Sequence, residues 1–318
     1  MKIGWLTPFL GEVGGIRSII ETGNSLVKMG HNFFMITDKM HNKPAWINFT
    51  GEIVGVAEAE KMNFDCVINQ DPYCRNWDKN IDSSIKILHI CSGHLHCYDK
   101  MADDYNIVTT IFNKGVQYAR SKLKKTNIFR IGQGINLTQF FRRDSNYFSH
   151  KNVFFCCRAY NIGNNQKGAI TAYNLLYPLR DKYNICAWDN TKDSAPPGIN
   201  FILCSAGVNR TSYAESIYHK ADVIVALDQV SAWSHIAAEA MACGIPVISN
   251  GIGLEDFGIP DYNYVLLDNY NLIEEKIDRL LDDDTYRKKI VDNAYNIIIN
   301  FTWEKRAKRL LDVMGNFL

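Results

Sequence analysis

The 318-residue sequence has no excess of charge of either sign: 35 Lys and Arg face 34 Asp and Glu, for a formal net charge of +1. That balance excludes bulk attraction to nucleic acid or to an anionic membrane, so an anionic ligand needs a local site. No uninterrupted apolar stretch approaches the ~20 residues that cross a bilayer. The first apolar run, of about five residues, is shorter than the roughly 7–15 of a signal-peptide core. The 9 cysteines are odd in number and irregularly spaced, with Cys156 and Cys157 adjacent, which argues against a disulfide framework. Together these absences lead us to expect a cytoplasmic protein with reduced thiols. Hydrophobic residues make up 47% and charged residues 22%, values that exclude global disorder. The length suggests two domains at ~150 residues each.

What is present is an alternation. Residues 2–7, 32–37, 65–69, 85–91, 107–111 and 128–131 read as strands, with helices at 16–29 and 113–125. A polar linker at 142–151 follows, and the rhythm restarts. Strands at 152–157, 183–188, 200–203, 222–227, 245–250 and 264–267 alternate with helices at 167–179, 211–220 and 235–243, and a last helix covers 303–317. Two such passes predict two doubly wound α/β domains, 1–150 and 151–301, with residues 302–318 packing back on the first. In such sheets ligands bind beyond the carboxyl ends of the strands, so a cleft between the domains is the default site.

Four stretches carry chemistry. From Ala221 to Ser249 the chain reads strand, loop, helix, tight turn, strand. Ser234 and His235 open that helix at the ligand edge, where free amides make an anion site. Glu239, more than one turn in, could accept two ribose hydroxyls or simply be a solvated helix residue. Arg158 ends an earlier strand, and Lys167-Gly168, nine positions on, opens a helix. Two cations converging with free amides suit a diphosphate, although in isolation the pair would read as a solvated surface. Gly14-Gly15 after the first strand permits close approach to a phosphate, or makes a turn. Finally, His89, Cys91, His94, His96 and Cys97 are five possible metal ligands in nine residues. Their spacing fits no two-pair zinc site, and no second ligand pair is evident, so no metal is expected. The strand is read instead as delivering a histidine to the ligand edge, His94 first and His96 second. The run Asp282-Asp283-Asp284 is explained by helix capping.

The stretch from Glu239 to Val247, Glu-Ala-Met-Ala-Cys-Gly-Ile-Pro-Val, closely resembles the family-four, GT-B-fold glycosyltransferases, also called glycosyl transferases group 1. Their signature reads Ala-Asp-Val, an apolar strand, Pro-Ser, a Glu, seven residues, then Glu-Ala-Met-Ala-Cys-Gly-x-Pro-Val-Val. The resemblance takes in Arg158 with Lys167-Gly168, Gly14-Gly15, Gly30-His31, Gln133-Gly134-Ile135-Asn136-Leu137 through Phe140, and Phe301-Thr302-Trp303-Glu304. It is strong after residue 130 and loose before. It departs from the pattern at Ser231, where the signature's first Glu, a donor-sugar contact, would fall. Pro-Ser falls on Leu227-Asp228, and Gly-Phe-Gly becomes Ala232-Trp233-Ser234. Asp228 could supply the missing carboxylate or cap its loop. A strict alignment puts Ser92 rather than His94 where the family has its histidine.

The resemblance implies a GT-B fold of two Rossmann-like domains facing across a cleft. It implies a metal-independent, retaining transfer from a nucleoside diphosphate sugar, without a cofactor, to a glycan, lipid or small-molecule acceptor. Glu239 would hold the ribose, Arg158 and Lys167 the diphosphate, and His94 the transferred sugar. Ser231, Ser234, His235, Gly14 and Gly15 complete the expected donor site. Nucleic acid is disfavoured as a partner, and peripheral membrane contact stays open. The rivals are a degenerate protein that binds nucleotide sugar without transfer, a sugar-nucleotide epimerase, and a DNA glycosyltransferase drawing on the basic residues Lys122–Lys125 and Arg142-Arg143.

Overall fold

The computed structural model describes residues 1–38, 43–143, 148–149, 151–204 and 210–318. These divide into two compact units, Met1–Gly134 with Phe301–Leu318, and Ile135–Asn300. The division falls at residue 134/135, ahead of the expected boundary near 150. The expected linker residues 144–147 and 150 lie outside the described residues. The described part of that linker belongs to the second unit's own packing: Arg143 N–H donates to Cys243 O, and Ser149 Oγ to Asp222 Oδ2 (2.5 Å).

The first unit runs β1 (Lys2–Leu6), α1 (Gly14–Lys28), β2 (Asn32–Thr37), β3 (Glu52–Gly55), α2 (Val56–Ala59), β4 (Asn63–Asn69), β5 (Asp82–Ile90), β6 (Ile107–Thr110), α3 (Asn113–Ser121) and β7 (Asn127–Arg130). Its strands are all parallel, in the order β3-β2-β1-β4-β5-β6-β7. Strand periodicity sets the layers, because successive side chains point to opposite faces. Ile3, Trp5, Phe33 and Met35 pack in one core with Ile19 and Ile20 of α1. Leu6, Phe34, Ile36 and Val67 fill the other face. The sequence reading omitted β3: its four residues, Glu-Ile-Val-Gly, are too short and too polar at the start to read as a buried strand, and pairing with β2 makes them one.

The second unit runs β8 (Asn152–Cys156), α4 (Ala169–Leu176), β9 (Asn184–Asp189), β10 (Asn200–Leu203), α5 (Arg210–Ser216), β11 (Val223–Ala226), α6 (His235–Ala242), β12 (Val247–Ser249), β13 (Val265–Leu266), α7 (Ile273–Asp282) and α8 (Asp284–Ile298). Its parallel strands lie in the order β10-β9-β8-β11-β12-β13. Asp283 caps α8, its Oδ1 accepting the Tyr286 N–H at 2.9 Å, which accounts for the acidic run.

α9 (Trp303–Gly315) closes the chain and packs on α1, so the first unit is built from both ends of the sequence. Ala307, Leu310, Val313 and Met314 enter the core that holds Ile3 and Trp5. Each sheet reverses direction once, between β1 and β4 in the first unit and between β8 and β11 in the second. In open parallel sheets the ligand crevice lies outside the carboxyl ends at that reversal. The loops that matter therefore follow β1, β4, β8 and β11.

Candidate functional site

In the second unit the loops after β8 and β11 are tied together backbone to backbone. Gln229 N–H donates to Gln166 O at 2.8 Å, and Gln229 Nε2 to Leu227 O at 2.8 Å. Gly168 sits at φ +69, and a Cβ built there would lie 1.9 Å from Leu227 O. Only glycine fits that position. Lys167 is thus clamped between two fixed neighbours, and its ammonium lies 2.9 Å from Asp228 Oδ1. Asp228 is 1% exposed, and its Oδ2 accepts no hydrogen bond among the described residues. Arg158 lies two residues past the end of β8, ahead of Ala159 in the left-handed region at φ +60. Both cations act on the Cys156 thiol at the end of β8, yet burial prevails and pushes that thiol up to about 12. Cys156 is therefore an inert wall of the site.

The expected free amides at Lys167-Gly168 are not free. Asn165 Oδ1 accepts the N–H groups of Ile170 and Thr171 at 2.9 and 3.3 Å, which caps α4. α6 has an N-terminus without a side-chain cap: Ser234 occupies the cap position but makes no capping bond. Its hydroxyl is buried and has no partner among the described residues. Ser234 N–H donates instead to Gly253 O at 2.9 Å. Gly253, at φ +81, approaches the loop so closely that a Cβ there would lie 2.9 Å from Ser231 Oγ and from Ser234 N. Ser231 thus lies close beside the turn after β12. His235 is the first residue of α6.

Glu239, buried on α6, accepts a hydrogen bond from the Tyr218 hydroxyl at 2.7 Å. It is therefore not a solvated helix residue. Tyr218 is enclosed by the rings of Phe140, Trp188 and Tyr213. Burial and the neighbouring Glu239 raise its hydroxyl well above the ordinary range, so it stays protonated and can only donate to the carboxylate. The sequence reading missed Tyr218. The available signal was a large ring in a short polar segment four residues ahead of Asp222.

Gly14, Gly15 and His94 belong to the first unit. Gly14 and Gly15 form the first turn of α1 rather than a loop before it, and α1 has no side-chain cap. His94 is exposed on the turn after β5, its N–H donating to Ser92 Oγ at 3.1 Å, its ring edge-on to His96. His89 and Cys91 face elsewhere. The Tyr98 hydroxyl accepts the N–H groups of Cys91 and Ser92, both at 3.1 Å. No group of three or more metal-ligating side chains occurs among the described residues.

His89, wholly buried, marks a polar network that the sequence did not announce. An Arg306 guanidinium nitrogen lies 3.1 Å from His89 Nε2, and another donates to Gln133 Oε1. A guanidinium only donates, so Nε2 accepts and Nδ1–H donates to Thr109 Oγ1 at 2.9 Å. Burial, then the Arg306 charge, holds the His89 pKa well below 6.5. Of the basic residues considered for DNA contact, Lys122–Lys125 belong to the first unit, and Arg142 and Arg143 are engaged within the second. Arg142 pairs with Asp292 and lies over the Tyr295 ring, and Arg143 donates to the carbonyls of His219 and Ala221.

Two parallel α/β units, each with one reversal of strand order, define a doubly wound class of fold. More particularly, the chain belongs to the glycosyl transferases group 1 family, whose model matches residues 138–297. It is 32% identical over 99 residues to a D-inositol 3-phosphate glycosyltransferase of Xylanimonas cellulosilytica, a match covering 30% of this chain and 24% of the relative. The chain thus spans about a quarter of the length of that curated relative. The sucrose-phosphate synthase of Thermosynechococcus elongatus superimposes with a TM-score of 0.78 at 15% identity, over 99% of this chain and 98% of that one. Anabaena HepE in complex with UDP and glucose gives 0.76 at 11% identity, over 99% of both. These likenesses identify the architecture as the GT-B fold. Among the described residues no helix is long and apolar enough to cross a membrane.

Proposed function

We propose that the protein is a glycosyltransferase that moves a sugar from a nucleoside diphosphate donor to a glycan, lipid or small-molecule acceptor, with retention of configuration. The observation that carries this reading is α6: an uncapped N-terminus with a buried, unpartnered Ser234 hydroxyl, one turn ahead of the buried Glu239 carboxylate held by Tyr218. Such an arrangement suits a phosphate at the amides and a ribose at the carboxylate. Charge develops on the leaving phosphate as the sugar bond breaks. Arg158, Lys167 and the α6 amides are suited to stabilise it. The leaving oxygen can take the acceptor proton itself, so no protein base and no metal enter this scheme. The location consistent with it is the cytoplasm.

A second reading, nucleotide-sugar binding without transfer, is favoured by one observation: Ser231 is small, neutral and wedged against Gly253. One assay separates the two. Release of nucleoside diphosphate is followed with a panel of sugar nucleotides and acceptors, with Arg158→Ala as the control, alongside thermal shifts of the protein with each nucleotide. Turnover that falls at least a hundredfold in Arg158→Ala supports transfer. Binding without turnover supports the second reading. A protein that neither uridine nor purine nucleotides stabilise refutes both.

A further inference from the structure

We propose that Asp228 is a positioning residue that aims the Lys167 ammonium and sets the charge of the anion site, so that a released nucleoside diphosphate is held less tightly than two cations alone would hold it. The inference rests on the donor-site reading above and deepens it. Its basis is the geometry at the strand reversal. Asp228 follows the end of β11, is 1% exposed, and has one carboxylate oxygen 2.9 Å from the Lys167 Nζ. Its backbone is fixed independently, because Asn250 Nδ2 donates to Asp228 O at 2.9 Å. Lys167 is fixed from the other side by the Gln166–Gln229 bond and by Gly168 against Leu227. A flexible four-carbon side chain is thereby directed by a rigid anion, the kind of support a preorganised site needs.

Charge arithmetic gives the consequence. Asp228 offsets the charge of Lys167, so a diphosphate meets less positive charge than Arg158 and Lys167 would present without it. Asp228 Oδ2 has no partner among the described residues, so the carboxylate is not neutralised from its other side. A product carrying more negative charge than the donor is disfavoured most by the retained carboxylate, which assists its departure. The carboxylate lies three residues ahead of Ser231, in the loop two residues past the end of β11.

The test is Asp228→Asn, which keeps an acceptor oxygen for Lys167 and removes the charge. Calorimetric titration measures UDP and UDP-glucose binding to the wild type and the variant, with steady-state turnover of UDP-glucose alongside. The expected result is UDP binding tightened about tenfold, UDP-glucose tightened less, and kcat lowered while KM for the donor stays the same or falls. A merely structural role predicts weaker binding of both ligands together with a lower melting temperature. Asp228→Glu, which restores the charge on a longer arm, should bring UDP affinity back toward the wild type. Unchanged or weaker UDP binding in folded Asp228→Asn overturns the proposal and leaves the donor site standing. Should Asp228→Asn not fold, Asp228→Ser is titrated in its place, and failure of both to fold also overturns it. A wild type that binds neither UDP nor UDP-glucose removes the donor-site reading itself, and this inference with it.

Discussion

Replacing Gly168 by alanine tests the clamp that holds the anion site together. The backbone there is at φ +69, and the new Cβ would lie 1.9 Å from Leu227 O. The left-handed conformation alone costs a non-glycine residue about 1–2 kcal/mol. The carbonyl is part of the chain leaving a central strand and cannot rotate away, so relief requires the 166–168 turn to move. That movement costs about 1–3 kcal/mol of packing and breaks the Gln229–Gln166 bond, worth about 1 kcal/mol. The sum is about 3–6 kcal/mol, a large share of a domain's stability. For a unit of this size it lowers the melting temperature by roughly 6–24 °C. Calorimetry measures the shift. The control is Gly315→Ala, at the exposed end of α9 with nothing within 4 Å of an added Cβ, which should be neutral or slightly stabilising. Because the displaced turn carries Lys167, UDP affinity should fall together with stability. A Gly168→Ala protein that melts within 2 °C of wild type and binds UDP equally well would refute the clamp.

Two further predictions concern buried polar groups. Tyr218→Phe leaves the Glu239 carboxylate without the hydroxyl now 2.7 Å away; destabilisation of about 1–3 kcal/mol is expected in urea unfolding, together with a smaller preference for ribonucleotides over 2′-deoxyribonucleotides. His89 is held neutral in the fold, its pKa depressed by burial and by Arg306, while in the unfolded chain it takes a proton as pH falls through its ordinary 6.5. Its contribution is therefore complete above pH ~6.5 and is lost as pH falls below it, by up to about 1.4 kcal/mol per pH unit. The slope should disappear in His89→Gln, and an unchanged slope in that variant counts against the assignment.

Much of this was legible in the sequence, for identifiable reasons. The strands stood out because buried parallel strands are continuous apolar runs, as at residues 153–155 and 223–226. Lys167 stood out because it lies just ahead of a helix at a recognisable spacing from Arg158, and Glu239 because it opens the stretch to Val247 that resembles the family signature. What could not be read depends on contacts distant along the chain. Arg306 meets His89 across 217 residues, and Tyr218 meets Glu239 across a whole strand and loop. The amides at α4 appeared free until Asn165, four residues upstream of the helix, was seen to turn its side chain back on them. Ser231 is the intermediate case: its loss of charge is visible in the sequence, but its closeness to Gly253 is not.

The closing helix has a consequence for how the protein is made. α9 supplies Leu310, Val313 and Met314 to the same core as Ile3 and Trp5. Its Arg306 is 1% exposed among His89, Gln133 and Trp5. During synthesis the second unit emerges whole while the first still lacks one wall. Nascent chains should therefore carry an open apolar face over Ile19 and Ile20 until α9 clears the ribosome. A chaperone or a stalled ribosome would meet the first unit as an uncovered sheet face, and α9 as the piece that closes it.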